Sequence, residues 1–148
     1  MPPAQSRLIL AAADAEDLQI LSARLQDAAV QVKNISWLPR RRRFAMVVNR
    51  YRWEAETRER VRAGLHFDGV LAVRAQGIRP GAGEAVVALL AVTFEKNNDG
   101  EDPGGIITLT FAGGGMICLT VECIDAGLAD LTRPWAARGK PDHDKDNM

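Results

Sequence analysis

The stretch that most constrains the fold runs from Ile106 to Glu122 and consists of two short apolar segments joined by three glycines. On both sides of the glycines, apolar and polar residues alternate at the period of two that is typical of a half-buried strand. The glycines at 113–115 can adopt the positive φ angles that a tight reversal requires. We therefore predict a β-hairpin whose single apolar face must be covered by another part of the chain. The residues of that face are Ile107, Leu109, Phe111, Ile117, Leu119 and Val121.

The first residues of the chain predict a strand followed by a helix. The apolar run from Arg7 to Ala12 is typical of a short strand. Leucines at helical spacing predict an amphipathic helix from about Ala15 to Ala29. Asp14 is placed to cap this helix, with Asp17 as its capping-box partner.

A second hairpin is predicted next. Alternation from Val30 to Trp37 and from Phe44 to Trp53 indicates two strands, and Pro39 ends the first because it has no N–H to donate. The tip then carries the four arginines Arg40, Arg41, Arg42 and Arg43. On the second strand, Arg50 and Arg52 share one face, and Tyr51 and Trp53 share the other.

The remaining elements are predicted with two alternatives left open. Val61 to Gln76 is β-like, and Asp68-Gly69 makes it either a tight hairpin or one sharply bent strand. The apolar run from Ala85 to Glu95 predicts a central strand that is covered on both faces. Loops rich in glycine and polar residues precede and follow it, at 78–84 and 96–105. The last core residues, Ile124, Leu128 and Leu131, fit a short closing helix that ends at Pro134, after which Trp135 packs back.

These elements sum to an α+β fold with a strongly curved antiparallel sheet or open barrel, one N-terminal helix and one short C-terminal helix. The order of strands and then a helix resembles the layout of pleckstrin-homology-type barrels. With 148 residues, 47% of them apolar, one domain at 1–138 and a disordered tail at 139–148 are expected.

The composition also bounds the location of the protein. Cys118 and Cys123 are too few for a disulfide framework, and we interpret them as small buried residues in a reducing compartment. We expect no export segment, and no run approaches the ~20 apolar residues of a membrane span. We therefore expect a cytoplasmic protein.

The charges are sorted along the chain although the net charge is zero. The segment from Lys33 to Arg62 has ten basic and three acidic residues, a local charge of +7. The segment from Glu84 to Asp130 has one basic and eight acidic residues, a local charge of −7. Because strands close in sequence tend to be close in space, we predict that the two segments lie on different parts of the surface.

The arginines are the candidate binding residues, namely Arg40, Arg41, Arg42, Arg43, Arg50 and Arg52. We predict that they contact an acidic protein partner or a second copy of the chain. A nucleic-acid-binding module using the same surface is the alternative, in which Tyr51 and Trp53 stack on bases. Their position on the opposite face from Arg50 and Arg52 weakens this alternative. We favour over it a solvated hairpin tip whose arginines pair with the acidic half of the same molecule.

The residues that favour an enzyme are fewer. His66 beside Asp68, and Glu122 beside Asp125, are the acid–base candidates, so a small enzyme centred on His66 is a further alternative. Cys123 has no evident base. We predict no cofactor and no metal centre, because a metal needs three or four ligands and only the tail residues Asp142, His143 and Asp144 cluster. The glycine run at 113–115 joins two strands and lacks the Lys-Ser/Thr ending of a phosphate loop.

The chain also resembles the domain of unknown function 2948 family, a group of short bacterial proteins. This resemblance covers Leu8 to about Trp135 and implies one continuous bent strand at Asp68-Gly69. It implies no activity, substrate or catalytic residue. The matching motifs are Leu38-Pro39, Arg42-Arg43-Phe44, Asn49-Arg50-Tyr51-Arg52-Trp53-Glu54, Gly64-Leu65-His66-Phe67, Thr110-Phe111-Ala112-Gly113-Gly114-Gly115 and Val121-Glu122-Cys123.

Overall fold

The structure is a computed structural model that describes residues 7–79, 83–98 and 100–137. Within these ranges one α-helix and eleven strands are present, with two short 3₁₀ turns at Val32–Asn34 and Pro39–Arg41. The helix and strands are β1 (Ile9–Ala12), α1 (Ala15–Leu25), β2 (Ala28–Gln31), β3 (Ile35–Leu38), β4 (Arg43–Tyr51), β5 (Glu59–Phe67), β6 (Val70–Gln76), β7 (Val86–Lys96), β8 (Gly105–Phe111), β9 (Met116–Val121), β10 (Ala126–Asp130) and β11 (Trp135–Ala136).

All the strands belong to one antiparallel sheet in the order β1-β10-β5-β4-β2-β7-β8-β9-β6, with β3 beside β4 and β11 beside β5. The order has two free ends, so the sheet does not close into a barrel. It bends round on itself, because the backbone N–H of Val70, where the last strand of the order begins, donates to the carbonyl of Arg42 at 2.9 Å. The antiparallel sheet and the N-terminal helix are therefore confirmed.

The hairpin at 106–122 is confirmed in register and in facing. β8 and β9 pair with Ile107 opposite Leu119 and Leu109 opposite Ile117, and all four side chains are buried. Gly113 and Gly114 have φ angles of 88° and 95°, which the turn requires.

The cover of this apolar face comes from α1 and from the opposite half of the sheet. One contiguous core holds the inward residues of the sheet and three leucines of the helix. Each fully buried leucine or phenylalanine contributes about 1.5–3 kcal/mol, so this core dominates folding. Its largest members are Phe44, Phe67, Phe111, Leu18, Leu21 and Leu25.

The helix begins as predicted and ends earlier. The Asp17 N–H donates to Asp14 Oδ1 at 2.8 Å, and Asp17 Oδ2 accepts from the Ala13 N–H at 3.2 Å, which confirms the cap. The predicted end at Ala29 is wrong, because Asp27 adopts a φ of 65° and Ala28 begins β2. The strand predicted at 30–37 is also wrong as one element, since a 3₁₀ turn divides it.

The predicted C-terminal helix is wrong. Residues 126–130 form β10, which lies between β1 and β5 in the sheet. The spacing of the apolar residues fits a helix, but Gly127 lies opposite His66 of β5. The His66 ring sits directly over Gly127, an approach that a residue without a Cβ allows. The resemblance to pleckstrin-homology-type barrels depended on this C-terminal helix, so that layout is not supported. Trp135 of β11 pairs with Arg60 of β5. The side chain of Trp135 stays 41% exposed, so it does not pack into the core.

Two further expectations concern the middle of the chain. Asp68-Gly69 is a bend and not a hairpin turn, because β5 pairs with β4 and β10 whereas β6 pairs with β9. β7 is central, between β2 and β8, but it is not covered on both faces, since Val86 is 61% exposed and only Leu89 and Val92 are fully buried. Parts of the loops predicted at 78–84 and 96–105, and the tail predicted at 139–148, lie outside the described residues.

Candidate functional site

The predicted arginine hairpin is present, with Leu38 of β3 opposite Arg43 of β4. We call its turn, Pro39–Arg43, the arginine tip. Pro39 begins a 3₁₀ turn, Arg42 adopts a left-handed φ of 51°, and the Arg42 N–H donates to the Pro39 carbonyl at 3.1 Å. The tip is therefore a defined turn and not a loose loop.

The tip rests on a charged corner formed by Arg42, Arg43, His66, Asp68 and Glu122. Arg43 Nε donates to Asp68 Oδ1 at 2.7 Å, and the Nδ1 atom of His66 lies 3.0 Å from Asp68 Oδ2. Arg42 forms an ion pair with Glu122. Asp68 thus bridges an arginine and the histidine.

Backbone hydrogen bonds hold the three chain segments of this corner together. The Asp68 N–H donates to the Asp125 carbonyl at 2.8 Å, and the Glu122 N–H donates to the Gly69 carbonyl at 2.9 Å. The start of β4, the β5–β6 bend and the β9–β10 link therefore meet at one place. His66, Asp68, Glu122 and Asp125, predicted as two separate acid–base pairs, belong to this one neighbourhood.

The corner perturbs the protonation of its members. Partial burial acts to raise the pKa of Asp68, but the hydrogen bond and charge of Arg43, with a contribution from His66, outweigh it and hold that pKa below its usual value. The hydrogen bond and charge of Asp68 in turn raise the pKa of Arg43. Both groups are held in their charged forms.

A second charge cluster, the buried arginine network, lies inside the sheet. Arg50 is fully buried, and its Nε and Nη2 atoms donate to the two oxygens of Asp130 at 2.9 Å each. The same guanidinium donates to Glu54 at 2.9 and 2.8 Å. Arg52, also buried, pairs with Glu59. These contacts satisfy charges that would otherwise be very costly to bury.

Burial and pairing act in opposite directions on the pKa values of this network. Burial acts to raise the pKa of Glu54, but the hydrogen bond and charge of Arg50, together with a backbone hydrogen bond and the charge of Arg24, outweigh it and lower that pKa below its usual value. Burial likewise acts to lower the pKa of Arg50, and the hydrogen bonds that Arg50 donates to Glu54 and Asp130, together with the negative charges of these carboxylates, reverse the effect and raise it. The network is therefore ionic.

The six candidate arginines divide into three pairs. Arg50 and Arg52 are buried, so their predicted place on a binding surface is wrong. Arg42 and Arg43 are partly exposed and neutralised by carboxylates in the corner. Arg40 and Arg41 are exposed and have no carboxylate partner among the described residues.

The predicted base-stacking platform is absent from this surface. Tyr51 is only 4% exposed and packs edge-on against Trp53, with ring centroids 4.8 Å apart. Trp53 Nε1 donates to the Gln26 carbonyl at 2.9 Å. These rings serve packing, so they are not presented to a nucleic acid beside the tip.

The predicted separation of the two charge segments is also wrong. Ion pairs join the basic segment to the acidic one at three places: Lys33 to Glu84, Arg42 to Glu122 and Arg50 to Asp130. The separation was inferred from closeness in sequence, whereas β10 inserts beside β5 and brings Asp130 to Arg50. Recognising β10 as a strand is the signal that would have revealed this one of the three pairs.

Few of the candidate side chains are placed for acid–base, nucleophilic or metal chemistry. His66 has no partner for Nε2 in the part of the chain that the structure describes, so its tautomer with hydrogen on Nδ1 leaves a free acceptor. Cys123 is a half-buried free thiol. Over the ranges 7–79, 83–98 and 100–137, no three potential ligands gather as a metal site needs. The tail candidates Asp142, His143 and Asp144 lie beyond these ranges.

A family model described as "Protein of unknown function (DUF2948)" matches residues 8–143. The chain belongs to this family. Neither the curated proteins nor the solved structures include a significant match. Membership covers nearly the whole chain and assigns no activity to any residue.

None of the helices among the described residues is long and apolar enough to cross a membrane.

Proposed function

We propose that this chain is a non-enzymatic binding domain of the cytoplasm whose arginine tip contacts an acidic protein partner. The observation that carries the proposal is that the four adjacent arginines of the tip differ in their contacts with carboxylates. Arg42 and Arg43 are used inside the molecule to fix the turn, while Arg40 and Arg41 extend from it without a carboxylate partner among the described residues.

Rigidity of the tip supports this function. The turn is fixed by Pro39, by the pairing of β3 with β4, and by the hydrogen bond from Val70 to the Arg42 carbonyl. A guanidinium held on a fixed turn loses less conformational freedom on binding than one on a mobile loop. Arginine also binds carboxylates in a bidentate manner, so the exposed guanidinium groups can contact an acidic protein surface.

Two alternatives make use of the same region. A nucleic acid would have to bind through the basic tip without base stacking, since Tyr51 and Trp53 are packed against other parts of the protein. An enzyme would use His66, and its free Nε2 with Asp68 on Nδ1 is the observation in favour of acid–base work. The acidic segment at 84–130 of a second copy of the chain could also be the partner, and such self-association weakens as salt rises.

The experiment compares two variants of equal charge change in pull-downs from cytosol with and without nuclease. Arg40→Ser/Arg41→Ser removes the exposed tip charges, and Arg58→Ser/Arg133→Ser removes two exposed arginines near the start of β5 and beside β11. We expect nuclease-resistant capture of an acidic protein that the first variant loses and the second keeps.

Other outcomes reject the proposal in distinct ways. Capture that nuclease abolishes, with a steep loss as salt rises, would establish the nucleic-acid alternative. Equal capture by both variants would show that the tip is not the binding surface. Turnover of a substrate that His66→Ala abolishes would establish the enzyme.

A further inference from the structure

The outer face of the sheet, away from α1 and the core, has a groove across β4, β5 and β10. Alternation sends Phe44, Met46, Leu65 and Phe67 into the core and leaves small residues on the outer face. Because the side chains on three neighbouring strands are short, the face is hollow. Its floor is formed by Ala45, Val47, Gly64 and Ala129.

The groove has two connected parts. The larger has a volume of about 330 Å³, is predominantly apolar, and is bounded by His66 and Leu131. The smaller has a volume of about 180 Å³ and is polar, with Asn49 and Arg62 in its wall. The two parts share the lining residues Asn34 and Val47, so they adjoin each other on the same face of the sheet. An apolar hollow with a few polar groups at its end is the usual form of a small-molecule site.

The polar end is cationic. Arg62 is exposed, and the only side-chain contact that its guanidinium makes in the described structure is to Asn49 Oδ1, at 3.4 Å. Glu84, which Gln31 contacts at 3.5 Å at this end, is paired with Lys33. A ligand with an anionic head and an apolar body therefore complements both parts.

We propose that this groove binds an elongated carboxylic acid, with the carboxylate on Arg62 and Asn49 and the hydrocarbon over Val47 and Gly64. Arg62 and His66 are four residues apart on one strand, which is about 13 Å. With carbon–carbon bonds of about 1.5 Å in a zigzag, a chain of about ten carbons covers this length. The site is separate from the arginine tip, so it stands or fails independently of the acidic-partner function.

The test uses decanoate as the probe, with decanol and decylammonium as controls of the same length, in a titration followed by amide NMR shifts. We expect saturable decanoate shifts at residues 45–49 and 62–66 and weaker binding of both controls. Arg62→Gln should weaken decanoate binding at least about tenfold, because a hydrogen bond to a charged group is lost, and leave decanol binding unchanged.

A second variant narrows the groove without straining the fold. Gly64 has no positive φ, and a Cβ there would meet Leu131 Cδ1 at 3.6 Å, an ordinary contact. We expect Gly64→Ala to keep the melting temperature and weaken decanoate binding, whereas Ala75→Val on the exposed edge strand β6 changes neither. Absence of shifts in the groove, equal binding of decanoate and decylammonium, or full binding by Gly64→Ala would each overturn the proposal.

Discussion

Arg50 and Arg40 belong to the same basic segment of the sequence, yet they occupy opposite situations in the molecule. Arg50 is fully buried and contacts two carboxylates, whereas Arg40 is exposed on the turn between β3 and β4. The buried arginine network needs Asp130 from β10, a strand 80 residues further along the chain. The arginine tip needs only its own turn and the corner beneath it.

A charge count along the chain therefore does not distinguish arginines that stabilise the fold from arginines that are available for binding. A buried arginine that is paired on both sides ties the fold together, and removing either partner leaves the other charge uncompensated. An exposed arginine contributes little to stability and remains available to a partner. The local charge of +7 in the sequence therefore contains residues of both kinds.

The largest effect is expected in the buried arginine network. Arg50→Ala leaves Asp130 buried without its counter-charge and should lower the free energy of unfolding by about 3–5 kcal/mol. Urea titration measures this, with Arg40→Ala as the matched control, for which we expect a change within about 0.5 kcal/mol. Similar midpoints for the two variants would remove the distinction between buried and exposed arginines.

Substitutions of buried apolar residues in the β8–β9 hairpin give a reference for the loss of unfolding free energy expected from Arg50→Ala. Phe111→Ala and Leu119→Ala each delete a buried side chain and should cost about 2–5 kcal/mol. Thr110→Ala, on the opposite face of β8, should cost much less. The same urea titrations test this, and equal costs on both faces would contradict the hairpin register described above.

The two regions also predict how stability depends on pH. Glu54 in the network and Asp68 in the corner have pKa values below their usual range in the folded protein. Their unfolded pKa values are about 4.3 and 3.9, so their contribution is fully present above about pH 5 and is lost as the pH falls through the folded pKa values.

Urea midpoints measured between about pH 7 and pH 3 test this dependence. The midpoint of the wild-type protein should fall as the pH drops below about 5. Asp68→Asn should start lower at neutral pH and fall less steeply, since the variant has no carboxyl at this position to protonate. A wild-type midpoint that rises toward acid pH would contradict the assignment of ionic pairs to both regions.

The sequence predicted the local elements better than the long-range ones. The alternation on β8, β9 and β4, the Asp14 cap and the stop at Pro39 depend on neighbouring residues, and they are confirmed. The predicted helix at 124–131 is wrong because its spacing fits a helix locally, while the partners β1 and β5 that make it a strand lie far away in the chain.

In the candidate site, too, local features could be predicted from the sequence and long-range contacts could not. The arginine tip could be predicted because one hairpin contains it. The bridge from Arg43 to His66 through Asp68 could not be predicted, since it depends on β4 meeting the β5–β6 bend. The burial of Arg50 could not be predicted either, because its partner Asp130 lies in the segment that the sequence predicted to be a helix.

The most direct test of the account compares two variants within the arginine tip itself, Arg42→Ser/Arg43→Ser and Arg40→Ser/Arg41→Ser. Both remove two adjacent charges, but only the first removes arginines that are paired with carboxylates. Urea titration should show a loss of about 1–2 kcal/mol for the first variant, which breaks the contacts to Glu122 and Asp68, and less than about 0.5 kcal/mol for the second. Equal losses, or a larger loss for Arg40→Ser/Arg41→Ser, would contradict the claim that two of these arginines stabilise the fold and two are left for a partner.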